Sequence, residues 1–143
     1  MARPEPWRLE HARYPQRFTL QTRYQDLDPN DHLNNVAYAA MFETARVRFN
    51  AALGLERWRD LRWVMAGMEL NYLDEGGFPA DVEVSIGVGE VGRRSWRLLC
   101  LITQEGRPLA TGDAVLAASK GCAPDGLPEE MRAILDGASV RAD

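Results

Sequence analysis

Cysteine is nearly absent, with two in 143 residues. Cys100 and Cys122 lack the CxxC spacing of a metal or redox motif and give no disulfide framework, so no metal site is expected and the setting reads as reducing and cytoplasmic. Cys100, in the middle of SWRLLCLIT, reads as a small core residue. Long apolar runs are missing too: none approaches the roughly 18 residues of a membrane span. The N-terminus holds Arg3, Arg8, Arg13 and Arg17 with no apolar stretch among them, which excludes a signal peptide. Positive charge is not in excess, since the formal net charge is −4 and the isoelectric point about 5.2. No basic face stands out, so nucleic acid is not an expected partner. An anionic substrate needs local arginines to meet it. There is no internal repeat and no low-complexity segment.

The remainder is ordinary globular material, 45% apolar and 27% charged, and its length suits one domain with one core. We take 1–143 as a single domain with its core at 16–120, an irregular lead-in at 1–15 and an irregular tail at 136–143. Phe18, Leu20, Thr22 and Tyr24 alternate and predict a strand. Tyr38, Phe42, Ala45, Phe49 and Leu53 recur at intervals of three and four and predict a helix from about Asn35 to Leu53, closed by Gly54. Four long strands follow: 64–72, 82–88, 95–104 and 109–119. Short turns between them imply antiparallel neighbours. The expected fold class is α+β, one long helix against a curled antiparallel sheet of about five strands. Open sheet edges favour pairing with a second copy.

The stretch YQDLDPNDHLNNVAYAAMFETAR, Tyr24–Arg46, concentrates the polar chemistry. Asp26, Asp28, Asn30, Asp31, His32, Asn34 and Asn35 stand together at the start of the helix. By composition alone, Asp28–Asp31 is a turn with a capping aspartate. The pattern also resembles the signature of hotdog-fold acyl-CoA thioesterases of the 4-hydroxybenzoyl-CoA thioesterase type: an aromatic, D-x-D, a short turn, H-[VL]-N-N, then a helix bearing Y…[FY]-E-x-A-R. Tyr24, Asp26, Asp28, His32, Asn34, Asn35, Tyr38, Phe42, Glu43, Ala45 and Arg46 carry the match. The strand, helix, four-strand order is the hotdog order. In one departure Asp31 stands where the family has glycine, and Asp tolerates the left-handed region better than most residues.

The resemblance implies thioester hydrolysis, with Asp28 as nucleophile or general base and the Asn35 backbone N–H as oxyanion donor. A carboxylate beside a helix N-terminus has the right physics, because the first N–H groups are unpaired and the helix dipole favours negative charge there. His32, Asn34 and Tyr38 are candidate substrate-binding residues, with loop bracing the competing role for the first two. Asp26 reads as structural, paired with an arginine such as Arg46, and Glu43 as an ion-pair partner of Arg46 or Arg48. Arg93 and Arg94, in a turn, are candidates for the phosphates of coenzyme A, against the alternative of a solvated hairpin. Trp63, Met65 and Met68 are either acyl-tunnel wall or plain core. No cofactor is expected beyond coenzyme A within the substrate. The expected partners are an acyl-CoA and further copies of the chain, as a homodimer or homotetramer, with no membrane. Other functions on the same fold are hydrolysis of acyl-carrier-protein esters, hydration of an enoyl-CoA, and acyl-CoA binding without turnover.

Overall fold

The computed structural model describes residues 3–142. One antiparallel sheet is built from β1 (Gln16–Leu20), β2 (Val64–Tyr72), β3 (Val82–Val91), β4 (Ser95–Gln104) and β5 (Arg107–Ala117), in the order β1-β3-β4-β5-β2. The first strand is shorter than its alternation suggests, since Thr22 lies beyond it and Tyr24 opens a 3-10 turn, Tyr24–Asp26. α1 (Asn35–Ala52) lies on its inner face, and α2 (Glu129–Asp136) packs near β3. The fold is α+β, the hotdog arrangement of a curved sheet around one long helix.

The docking of α1 follows from its periodicity. Tyr38, Met41, Phe42, Ala45 and Phe49 are buried along one face. Phe42 and Phe49 are wholly shielded from solvent, and each such side chain contributes about 1.5–3 kcal/mol by leaving water. Gly112 on β5 makes room for the helix. A Cβ there would lie 2.8 Å from the Phe42 ring and from Cys100 Sγ, closer than a packed core tolerates. Leu53 caps the helix, and Gly54 turns the chain away at φ 70°.

One connection differs from the sequence expectation. The β3–β4 and β4–β5 links are tight hairpins, but β2 does not neighbour β3. It pairs with β5 instead, from Val64↔Ala117 to Tyr72↔Ala110. The two hairpins use both edges of β4 and leave the outer edge of β5 for β2. The segment Leu73–Asp81 must therefore cross the end of the sheet to reach β3, and it passes the N-terminus of α1.

The lead-in and tail are also more ordered than expected. Pro6–Leu9 and His11–Arg13 are 3-10 turns. Arg8 is buried beneath them. It pairs with Asp113 at 2.9 Å and donates to the carbonyls of Gly112 and Cys100 and to the Tyr14 hydroxyl. On the tail, Val88 exchanges backbone bonds with Ala138 and Val140. Residues 1, 2 and 143 lie outside the described segment. Cys100 is a core residue, and burial pushes its thiol far above the usual range.

Candidate active site

The loop before α1 is an asparagine-and-aspartate turn built on its own side chains. Asp28 Oδ1 accepts from the Asn30 N–H at 2.8 Å and from the His32 N–H at 3.2 Å. The Asp28 N–H donates to the His32 carbonyl at 2.8 Å. These bonds fix the carboxylate and leave Oδ2 without either of them. Asp31 sits at φ 62°, the left-handed conformation that glycine adopts at no cost and Asp at little.

Asn34 is the N-cap of α1. Its Oδ1 accepts from the Ala37 N–H at 2.8 Å, while its carbonyl serves Ala37 and Tyr38. Among the described residues no acceptor takes the N–H of Asn35 or Val36. Two donors at the positive end of the helix are thus open.

Asp26 is structural, but its partner is not Arg46. Its buried carboxylate takes the Arg23 backbone N–H and the Arg23 guanidinium, each at 2.8 Å. Sequence neighbours three apart meet across a single 3-10 turn, whereas Arg46 lies on the far flank of α1. Glu43 does approach Arg46, at 3.6 Å.

The Leu73–Asp81 crossover supplies the opposite wall, which sequence reading did not find. The Leu33 N–H donates to the Gly76 carbonyl at 2.9 Å. Gly76 is wedged so tightly that a Cβ would lie 2.6 Å from Leu109 and 3.2 Å from the Tyr38 hydroxyl. Gln104, 2% exposed, holds Gly77 and Ala80 through three bonds. Arg107 pairs with Asp74 at 2.7 Å, and His32 Nε2 lies 3.2 Å from Glu75. The Glu75 N–H, followed by Arg107, holds the Asp74 carboxyl below its usual range.

Between the two loops lies a cavity of about 300 Å³ whose wall includes Asp28, His32, Asn34, Asn35, Tyr38 and Tyr72. Tyr38 is 4% exposed and packs on the Tyr72 ring at 5.6 Å. Among the described residues its hydroxyl makes no hydrogen bond of ordinary geometry, the Gly76 backbone lying beside it, and burial raises its pKa against that neighbour, which keeps it a donor. A second cavity of about 480 Å³ adjoins the first through Tyr72 and Asp74 and reaches Arg3. All five candidates at the helix end therefore converge.

Arg93 and Arg94 do not join them within one protomer. They form the β3–β4 turn, at the end of β4 opposite Gln104, and a ten-residue strand spans about 33 Å. Arg93 also has a local task, donating to the Pro124 carbonyl at 3.2 Å. Trp63 packs edge-on against Trp96, whereas Met65 and Met68 remain 38% and 41% exposed. Among the described residues no three His, Cys, Asp or Glu side chains cluster as a metal set. No helix among them is long and apolar enough to cross a membrane.

The profile of the thioesterase-like superfamily matches residues 22–135. Among solved structures, a thioesterase from Thermus thermophilus complexed with coenzyme A and zinc is 31% identical, over 90% of this chain and 97% of its own, with a TM-score of 0.78. A protein from Pseudomonas aeruginosa strain PAO1 is 24% identical, over 93% and 97%, with a TM-score of 0.75. A gentisyl-coenzyme A thioesterase shares the fold at 16% identity, over 83% and 98%, with a TM-score of 0.71. No curated protein matches the sequence. Fold and likeness together define a hotdog-fold thioester hydrolase. The chain belongs to the thioesterase-like superfamily.

Proposed function

We propose that this chain hydrolyses an acyl-CoA to a carboxylic acid and coenzyme A, with Asp28 and the N-terminus of α1 as the chemical machinery. The observation that carries this reading is a fixed carboxylate and an open helix-terminal amide on the wall of one cavity. The thioester oxygen binds at the Asn35 N–H, where the dipole stabilises the oxyanion. Asp28 Oδ2 then attacks the carbonyl carbon, the C–S bond breaks, coenzyme A leaves as its thiolate, and water cleaves the resulting anhydride. In the alternative route Asp28 takes a proton from water, which attacks directly. An acyl adduct on Asp28, sought by mass spectrometry of a quenched single turnover, separates the two.

Tyr38 donates its unpartnered hydroxyl to bound substrate or water. His32 and Asn34 bind through the atoms that Glu75 and the helix cap leave free. Neither route calls for a metal or redox cofactor. The free thiols of Cys100 and Cys122 fit a reducing cytoplasm.

Self-association completes the site in this reading. β2 pairs only with β5, and Val64, Met65, Met68 and Tyr72 along it are exposed. An antiparallel β2–β2 pairing of two copies sets Val64 of one against Tyr72 of the other. Val64 aligns with Ala117, and Ala117 with Ser95. The Arg93–Arg94 turn of a second copy is thereby carried to the site end, where it meets the phosphates of coenzyme A.

The test is thiol release from short, long and aromatic acyl-CoAs, with matched acyl-carrier-protein esters beside them. Asp28→Asn keeps the turn and removes the basic oxygen. It should lower kcat by about 10²–10⁴ and change KM far less. A folded Asp28→Asn protein with near-normal kcat overturns the assignment.

A further inference from the structure

The cavity of about 480 Å³ that reaches Arg3 has no part in the chemistry above, although it shares Tyr72 and Asp74 with the cavity at the end of α1. Both are of the size that holds a small molecule, about 300–1,000 Å³. One wall of the larger cavity is the lead-in: Pro4 and Leu9 line it together with Leu73 and Pro108. The superfamily profile begins at residue 22, so a segment outside the family match supplies this wall. The wall is nevertheless fixed. Arg8, next to Leu9, is buried against the sheet, pairs with Asp113 at 2.9 Å and donates to the Gly112 carbonyl at 3.1 Å, while its own carbonyl accepts from the Tyr14 hydroxyl at 2.8 Å. Leu9 and Leu73 remain 36% and 37% exposed, so the cavity offers apolar carbon that the chain itself leaves uncovered. Its charge is one-sided. Arg107 neutralises Asp74 at 2.7 Å, whereas among the described residues no ion pair engages the exposed Arg3. From the thioester end of the site the cavity thus passes apolar carbon and reaches an unmatched cation at the surface.

We propose that the lead-in binds the phosphopantetheine arm of the substrate, with Leu9 and Leu73 against its dimethyl-bearing carbon and Arg3 on its phosphate. The inference rests on the reading that Asp28 and the α1 terminus cleave a thioester. A thioester has two limbs, the acyl group and the arm beyond sulfur. The arm joins amides and a branched hydrocarbon to a phosphate, so it can lie half in water and still end on a guanidinium, which pairs well with phosphate. A hydrocarbon acyl chain would leave Leu9 and Leu73 partly wet and give Arg3 no task. The phosphate, by contrast, is present whatever the acyl group. Coenzyme A and acyl-carrier proteins carry the same arm, so this wall recognises the chemistry the two share.

The experiment uses the full chain and one acyl group on five leaving groups: coenzyme A, phosphopantetheine, pantetheine, N-acetylcysteamine and an acyl-carrier protein. The readout is the ratio of kcat/KM between two esters within one variant, which cancels any loss of folded protein. At low ionic strength Arg3→Ala should lower the preference for the phosphopantetheine over the pantetheine ester about three- to fivefold. Leu9→Ala should lower the preference for the pantetheine over the N-acetylcysteamine ester about fivefold. If Arg3→Ala slows the coenzyme A ester but not the carrier-protein ester, or the reverse, the affected one is the source of the arm, and either result supports the assignment. Both ratios unchanged overturn it and leave the hydrolysis standing. Ratios that change with the acyl group and not with the leaving group give the cavity to the acyl limb and likewise overturn it. A wild-type protein that hydrolyses none of the five esters overturns the reading beneath it.

Discussion

Gln104 treats Gly77 as a neighbouring strand would. Its side-chain Oε1 accepts from the Gly77 N–H at 2.9 Å and its Nε2 donates to the Gly77 carbonyl at 2.7 Å. A second bond runs from Nε2 to the Ala80 carbonyl at 2.8 Å. The end of β4 thereby holds the crossover loop that walls the site. Gln104→Leu leaves the Gly77 N–H and carbonyl without partners, while the Ala80 carbonyl keeps the Thr22 hydroxyl at 3.0 Å, and we expect a loss of about 2–4 kcal/mol. Because the loop carries Gly76 and Glu75 to the cavity, kcat/KM should fall with it. Chemical denaturation and steady-state thiol release on one preparation check both. Gln104→Leu with wild-type stability would remove the anchor role.

Asp31 tests whether the turn that holds Asp28 depends on its left-handed residue. At φ 62°, Asp31→Gly relieves strain of about 1 kcal/mol but frees the unfolded chain by a similar amount. Its stability should therefore stay near wild type. Asp31→Val cannot relax in that region and should cost about 1–2 kcal/mol. It should also depress kcat, since the same turn orients Asp28. Thermal melts rank the three proteins. An Asp31→Val enzyme as stable and active as Asp31→Gly would show that the turn does not require this conformation.

The half of the site between Asp28 and Tyr38 is legible in sequence because it is local. Eleven consecutive residues make the turn, the cap and the first helical turn, and the Asp28 and Asn34 side-chain bonds that shape them span at most four positions. The other half arrives through register. Tyr72, Asp74, Gly76 and Gln104 meet that turn only because β2 pairs with β5 and the crossover must span the sheet end. Gln104 reads in sequence as one more polar residue at a strand end. For Arg93 and Arg94 the residue type suggested phosphate binding, but nothing local could say which end of a strand they occupy.

Those two arginines are separable by experiment. Arg93 ties the turn to the C-terminal segment through Pro124, and its own carbonyl accepts from the Leu127 N–H at 2.8 Å. Arg93→Ala should lower stability as well as substrate affinity. Among the described residues only the backbone of Arg94 is engaged, its carbonyl accepting from the Ala118 N–H. Arg94→Ala should raise KM by roughly tenfold or more, the range of one charged hydrogen bond, and flatten its salt dependence, with kcat and melting temperature held. KM unchanged across ionic strength in both variants would take the turn out of the coenzyme A site.

Asp74 makes the loop sensitive to acid. Its carboxyl is held below the usual range first by the Glu75 N–H and then by Arg107. A folded-state pKa below the unfolded value means that the stabilisation is fully present above the unfolded pKa, about 4, and is lost as pH falls through the lower folded value. The pair is half exposed, with side chains 48% and 53% accessible, so the effect on global stability should be small. Its effect should instead be local, on the crossover that positions Gly76 against Leu33. Amide hydrogen exchange at Gly76 and Gly77 should therefore accelerate, relative to the core strands, as pH drops below about 4. Asp74→Asn keeps an acceptor for the Glu75 N–H but removes the charge. It should show the faster relative exchange already at neutral pH and lose most of the acid response. Equal relative exchange in wild type and Asp74→Asn across that range would leave the Arg107 pair without influence on the loop.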